Sequence, residues 1–234
     1  SAGPRRRARR SEPWGRGAGP VEQLVIDEEF ATARVRRPHL QVGAWVLPTI
    51  IAHGTEAQKE KYLPMLATGE LVGAIAMSEP AAGSDLQGVK STAVRQGDHY
   101  LLNGSKTFIT NGWHADLVIV VAKTNPAAGA KGTSLLLVER GMPGFETGKR
   151  LKKVGLKAQD TAELFFSDVK VPAENLLGGA PQENRGFICL MEQLPWERLQ
   201  IAIGAVASAQ ASIAGTSAYV KERKVFGQAV AAYQ

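Results

Sequence analysis

One cysteine, Cys189, serves all 234 residues, so no internal disulfide can form and a reducing compartment is the expected setting. Histidine is also scarce. His39, His53, His99 and His114 stand apart from one another and lack metal-ligand spacing, so no metal is expected. No apolar run is clean enough to span a bilayer. The longest candidate, residues 199–220 "LQIAIGAVASAQASIAGTSAYV", contains Gln200, Ser208, Gln210, Ser212, Thr216 and Ser217. That is too polar for a lipid-facing span of roughly 20 residues. Its alanines and glycines suit a helix packed closely among others, and no membrane span is expected. No secretory signal and no internal repeat are visible.

A net positive charge is missing from most of the chain, although the formal net charge is +6. Residues 1–20, "SAGPRRRARRSEPWGRGAGP", hold six arginines and one glutamate, and the remainder is close to neutral. An arginine-rich tail can meet nucleic acid or an anionic surface, and mitochondrial transit segments are arginine-rich too. Glycine and proline break this stretch, which reads as a basic disordered tail. A nucleic-acid partner is not expected.

What is present is a 44% hydrophobic chain able to bury a core. Residues 21–33 have helical spacing, and "RVRRPHLQ" interrupts them. "VGAWVLPTIIAHGTEAQKEKYLPMLATGE" reads as two helices. Thr55 is the expected N-cap of the second, Gln58 completes a capping box, and Gly69 ends it. Beyond residue 70 the texture turns to strands. Gly97-Asp98, Asn103-Gly104 and Asn111-Gly112 punctuate it as turns, Asn-Gly being a strong hairpin signal. "ADLVIVVAKT" and "TSLLLVER" read as strands covered on both faces, and "TAELFFSDVKVP" continues the pattern. From Gly186 the helical texture returns. The fold class is α+β: a basic tail over 1–20, a partial helical domain over 21–69, an antiparallel β-barrel or sandwich over 70–178, and the first part of a C-terminal helical bundle over 179–234.

Four stretches could carry chemistry. "GAIAMSEPAAGSD" (73–85) is a Gly- and Ser-rich loop after an apolar strand, able to offer backbone N–H groups to a phosphate or to be a plain turn. It lacks the G-x-G-x-x-G spacing and the P-loop lysine. "NGSKTFITNG" (103–112) is either a hairpin with Phe108 in the core, or a segment presenting Phe108 and Thr110 to a planar ligand. "LPWERL" (194–199) places Glu197 beside Arg198. Glu197 is either a proton-abstracting base or a carboxylate at a helix start, where the dipole favours it. "ERKVFGQ" (222–228) is a helix end with Phe-Gly as its C-cap, or an arginine reaching for phosphate.

Together, in this order, these stretches resemble the acyl-CoA dehydrogenases. The resemblance runs from about residue 46 to the end and includes "VGLKAQDTAELFFSDVKVPAENLLG". The first 45 residues do not resemble the family well. It implies an N-terminal helical domain, a middle β domain and a C-terminal bundle, most of which lies beyond this chain; the sequence reads as C-terminally truncated. The implied chemistry is FAD-dependent α,β-dehydrogenation of an acyl-CoA thioester to the trans-2-enoyl-CoA, with a hydride passing to flavin N5. Fatty-acid β-oxidation or branched-chain acyl oxidation follows as the setting, in the bacterial cytoplasm or the mitochondrial matrix.

By the same resemblance Ile75, Ala76, Met77, Ser78, Glu79, Pro80, Ala81, Ala82, Gly83 and Ser84 line the flavin and its pyrophosphate. Phe108, Ile109 and Thr110 meet the ring, with Thr110 near N5. Arg223 and Gln234 reach the FAD of a neighbouring subunit, which implies a homo-oligomer, a tetramer in the family. Glu197 is the expected base, as in long-chain and isovaleryl-type members. Ile188, Pro195, Trp196, Arg198 and Ser84 are expected to border the substrate. Electron-transferring flavoprotein is the expected acceptor. An acyl-CoA oxidase-like flavoenzyme, an inactive remnant and a basic-tailed binding protein are the alternatives.

Overall fold

The computed structural model describes residues 19–33, 35 and 41–233. The arginine-rich stretch of 1–18 and Gln234 lie outside them, as does most of the break at 34–40. The described residues divide into two compact units between Cys189 and Leu190.

The first unit opens with three helices, α1 (Pro20–Thr32), α2 (Gln41–His53) and α3 (Glu56–Thr68). The capping box is present: Thr55 accepts from the Gln58 N–H, and the Gln58 side chain accepts from the Thr55 N–H. Gly69 ends α3 in the left-handed conformation at φ 79°. Gln58 also ties α3 to the segment after the sheet. Its Nε2 donates to Glu174 O and Leu176 O, both at 2.7 Å, and its Oε1 accepts from Gly178 N at 3.0 Å. All the hydrogen-bonding capacity of one buried amide is thereby used.

Seven strands follow: β1 (Gly73–Ala76), β2 (Thr92–Gln96), β3 (His99–Thr110), β4 (Leu117–Lys123), β5 (Thr133–Glu139), β6 (Phe145–Arg150) and β7 (Thr161–Pro172). The sheet runs β1-β4-β2-β3-β7-β6, with β5 paired to β4. Its pairings are mostly antiparallel. β4 carries the exceptions, lying parallel to β1, with Ile75 opposite Ile119, and to β2, with Thr92 opposite Lys123. A parallel pair needs a long crossover, and between β1 and β4 the strands β2 and β3 intervene in sequence. β4 and β5 are buried on both faces, as their unbroken apolar runs require. The core gathers Tyr100, Leu102, Val118, Val120, Leu136, Val138, Leu164 and Phe166.

One turn expectation needs correction. Gly97-Asp98 does form the two-residue β2–β3 loop, with Gly97 at φ 63°. Asn103-Gly104, however, lies within β3. Gly104 sits at φ 148° against Ser91, where a Cβ would come within 2.2 Å of Ser91 Oγ. Asn103 serves a bulge on β7 instead: its amide donates to Asp168 Oδ1 and accepts from Asp168 N, each at 2.9 Å, and Asp168 is left-handed at φ 52°. A short-range hairpin signal lost to close strand packing.

Helix α4 (Gly186–Glu222) begins in the first unit and supplies most of the second. Gly186 needs its missing side chain, because a Cβ there would lie 2.7 Å from the Ser134 backbone. α4 has an 18-residue window of mean hydropathy 1.3, enough by length and composition to cross a membrane. Helices from the interior of soluble bundles pass that test as well. After α4, β8 (Lys224–Val225) and β9 (Gln228–Ala229) make a tight hairpin. Phe226 (φ 47°) and Gly227 (φ 84°) are its two central residues, the positive-φ pair of a type I′ turn. Phe-Gly is therefore a hairpin turn, which removes the helix C-cap, one of the two readings of this stretch.

Candidate functional site

In the first unit, β1 leads into residues 77–84, and this loop lies beside β3. Thr107 N donates to Ser78 O at 3.0 Å, and Lys106 Nζ donates to Met77 O at 3.1 Å. Within the loop Glu79 and Ala82 bond each other's backbone in both directions, at 2.8 and 3.1 Å. Ile75, Met77 and Ser78 are half-buried, and Pro80, Ala81, Gly83 and Ser84 are exposed. A Cβ on Gly83 would meet nothing within 4 Å, so the backbone there faces open space. Ala76, Glu79 and Ala82 are buried, and the Glu79 and Ala82 N–H groups already donate to each other's carbonyls, so what the loop could offer a ligand is the exposed backbone around Gly83 and the Ser78 and Ser84 side chains.

Glu79 anchors the loop from below. Its Oε1 accepts from Ser91 Oγ (2.7 Å), Ser91 N (3.0 Å) and Lys106 Nζ (2.8 Å), and its Oε2 accepts from Lys90 N (2.6 Å). Burial works to raise the Glu79 carboxyl. The bonds from Lys106, Ser91 and the Lys90 N–H outweigh it and hold the group below its ordinary value. Burial pulls the Lys106 amine down, against the Glu79 contact. With four donors on the carboxylate, an ionised pair is the state the geometry supports. The sequence offered no signal for this pair, because its members lie on separate elements.

Phe108 is not in the core. It is 69% exposed and left-handed at φ 58°. The cause is a bulge: Lys106 pairs with Leu164 and Ile109 with Ala162, so Thr107 and Phe108 together oppose Glu163. The extra residue re-aims the ring outward while Lys106, Thr107 and Ile109 stay buried. Thr110, half-buried two residues on, accepts a bond from Gln159 Nε2 at 3.2 Å. Asn111 N and Trp113 N donate to Asp160, at O (3.2 Å) and Oδ2 (2.8 Å). Thus the 77–84 loop and the Phe108–Thr110 segment are brought together, and both reach the surface. An exposed ring, an adjacent hydroxyl and an open glycine backbone suit a planar group carrying a phosphate. Among the described residues, no group of three or more His, Cys, Asp or Glu side chains could hold a metal ion.

In the second unit Glu197 is the twelfth residue of α4, which starts at Gly186. It is not at a helix start, so the dipole explanation for its presence fails. It is half-buried, and burial raises its carboxyl above the ordinary value, against the pull of the Arg198 cation. Pro195 and Arg198 are exposed on the same helix, while Ile188, exposed as well, belongs to its first-unit end. Arg223 is exposed where α4 meets the hairpin, its carbonyl accepting from Val230 N at 2.8 Å. Phe226, 97% exposed on the turn, is a surface feature that sequence reading overlooked; the left-handed demand of a two-residue loop was the available clue.

Three family descriptions match in order. Residues 10–70 match "Acyl-CoA dehydrogenase, N-terminal domain", 74–169 match "Acyl-CoA dehydrogenase, middle domain", and 184–234 match "Acyl-CoA dehydrogenase, C-terminal domain". The first match corrects the expectation that likeness starts near residue 46. A mitochondrial long-chain specific acyl-CoA dehydrogenase from Mus musculus is 56% identical over 223 residues, covering 94% of this chain and 51% of that protein. A mitochondrial isovaleryl-CoA dehydrogenase from Pongo abelii is 45% identical, covering 94% and 52%. A crystal structure of an acyl-CoA dehydrogenase from Geobacillus kaustophilus superposes with a TM-score of 0.82 at 50% identity, covering 94% of this chain and 58% of that one. The chain spans about half the length of the curated relatives it matches.

Proposed function

Because this chain belongs to the acyl-CoA dehydrogenase family, we propose that it takes part in FAD-dependent α,β-dehydrogenation of an acyl-CoA thioester, in fatty-acid or branched-chain acyl oxidation. The observation that carries this reading is the bulge that turns Phe108 out of the core beside the 77–84 loop. Residues 75–84 would hold the flavin and its pyrophosphate, chiefly through backbone N–H groups and the Ser78 and Ser84 hydroxyls. Phe108 would lie against the ring, with Ile109 beneath it and Thr110 at its edge. Bound FAD would supply the two-electron acceptor for the hydride that leaves the β-carbon.

Glu197 is proposed as the base that takes the α-proton. That proton is weakly acidic, so the base must sit within hydrogen-bond reach with its basicity raised by burial. The upward shift at Glu197 supports this role. Ser84, Ile188, Pro195, Trp196 and Arg198 would border the acyl-CoA. Arg223 and Gln234 are proposed to reach the cofactor of a second copy, in a homotetramer that passes electrons to electron-transferring flavoprotein. The exposed apolar residues of α4, among them Ile201, Val206 and Ile213, would find their cover in such an assembly. The test is to reconstitute the protein with FAD, record its visible spectrum and add acyl-CoAs of graded length. Bleaching, strongest with long chains, is expected. A protein that retains no flavin would overturn the proposal.

A further inference from the structure

The Thr110 hydroxyl has a single proton, and its surroundings decide where that proton points. Gln159 Nε2 donates to Thr110 Oγ1 across 3.2 Å. Gln159 is itself fixed. Its N–H donates to Leu156 O at 3.1 Å, closing a turn in which Leu156 is left-handed at φ 48°. Its carbonyl accepts from Lys153 Nζ at 2.5 Å, and the same amine reaches Thr161 Oγ1 at 3.0 Å. Thr161 is the cross-strand partner of Thr110. The next residue, Asp160, holds Asn111 and Trp113. The end of β3 is therefore clamped by the 153–161 segment.

A hydroxyl whose oxygen accepts an N–H keeps its own proton for another acceptor. We infer that Gln159 is a positioning residue that makes Thr110 a hydrogen-bond donor toward an acceptor atom on the edge of the bound flavin. The inference rests on the flavin reading above and adds to it the polarity of the contact and the side chain that sets it. A leucine at 159 removes the N–H and leaves the hydroxyl free to rotate. A glutamate at 159 offers only acceptors and draws the Thr110 proton to itself.

The test is a double-mutant cycle on the affinity for oxidised FAD, measured by fluorescence quenching, with melting curves recorded for every variant. Gln159→Leu should weaken FAD binding about threefold, and Gln159→Glu about tenfold, the scale of one hydrogen bond to a buried partner. Thr110→Val should match Gln159→Glu. In a Thr110→Val background both Gln159 substitutions should change affinity less than about twofold, because the proton they redirect is gone. Full persistence of their effects in that background would assign Gln159 a packing or charge role and overturn the inference while leaving the flavin site standing. Thr110→Val binding FAD like the unsubstituted protein would instead remove Thr110 from the flavin contact, and with it the reading on which the inference rests.

Discussion

Lys106 Nζ lies 2.8 Å from Glu79 Oε1, in a pair whose side chains are 0% and 6% exposed. Glu79 belongs to the loop proposed to cradle phosphate, and Lys106 lies two residues before the outward-turned Phe108. One buried charge pair thus sets the spacing of both proposed cofactor segments. Lys106→Met would leave the carboxylate buried without its cation, at a cost of about 3–5 kcal/mol. A urea titration should show the loss. Adding Glu79→Leu should recover part of it, limited by the Lys90 and Ser91 donors that then lose their acceptor. Equal stability of Lys106→Met and the unsubstituted protein would show that the pair is not buried as described.

Two glycines should respond in opposite ways. Gly104→Ala puts a side chain at φ 148° and within 2.2 Å of Ser91 Oγ, so a stability loss of about 2 kcal/mol or more is expected in thermal melts. Gly83→Ala meets open space and should melt within about 0.5 kcal/mol of the parent. If residues 77–84 cradle the flavin pyrophosphate, Gly83→Ala should still weaken FAD binding.

Gln58 should be intolerant of a change that spares its shape. Its Nε2 faces two carbonyls, Glu174 O and Leu176 O. Gln58→Glu would set a carboxylate against both, and each lost buried bond carries a penalty of about 1–3 kcal/mol. It should therefore destabilise more than Gln58→Ala, by chemical denaturation at neutral pH. The reverse order would deny the tether.

Tyr62 sets a pH dependence. Its hydroxyl donates to Glu139 Oε1 at 2.6 Å, and burial, then that bond, push the phenol up to about 12 from 10.0. The folded value is raised, so the stabilisation is fully present below pH 10 and is lost as pH climbs toward about 12. Tyr62→Phe should melt lower at neutral pH, and its deficit should shrink across that alkaline window. Tyr100, also pushed to about 12, is unchanged in both proteins and cancels from the difference.

The contrast between Gln58 and Lys106 explains what the sequence made legible. Thr55 and Gln58 are three residues apart, so their capping box could be read directly, as could the Gly97-Asp98 loop and the doubly covered strands β4 and β5. Asn103-Gly104 misled because the same dipeptide that favours a turn also admits a strand crossing close over Ser91. Phe108 was ambiguous because one inserted residue reverses which face a side chain takes, and the bulge depends on pairing with Glu163's strand, far along the chain. The Glu79–Lys106 pair was invisible for the same reason. Glu197 was legible as a candidate, but the reading of it as a carboxylate at a helix start gives way to a helix that begins at Gly186, eleven residues earlier.

The proposed function turns on Glu197 as the base that takes the α-proton. The most direct measurement is the rate of anaerobic flavin bleaching by a long-chain acyl-CoA, for the FAD-loaded protein and its Glu197→Gln variant, across pH. The account predicts bleaching that grows with pH through a value above the ordinary carboxylate range. It predicts a loss of about 10²-fold or more in Glu197→Gln, with FAD still bound. An unchanged rate in that variant would contradict it.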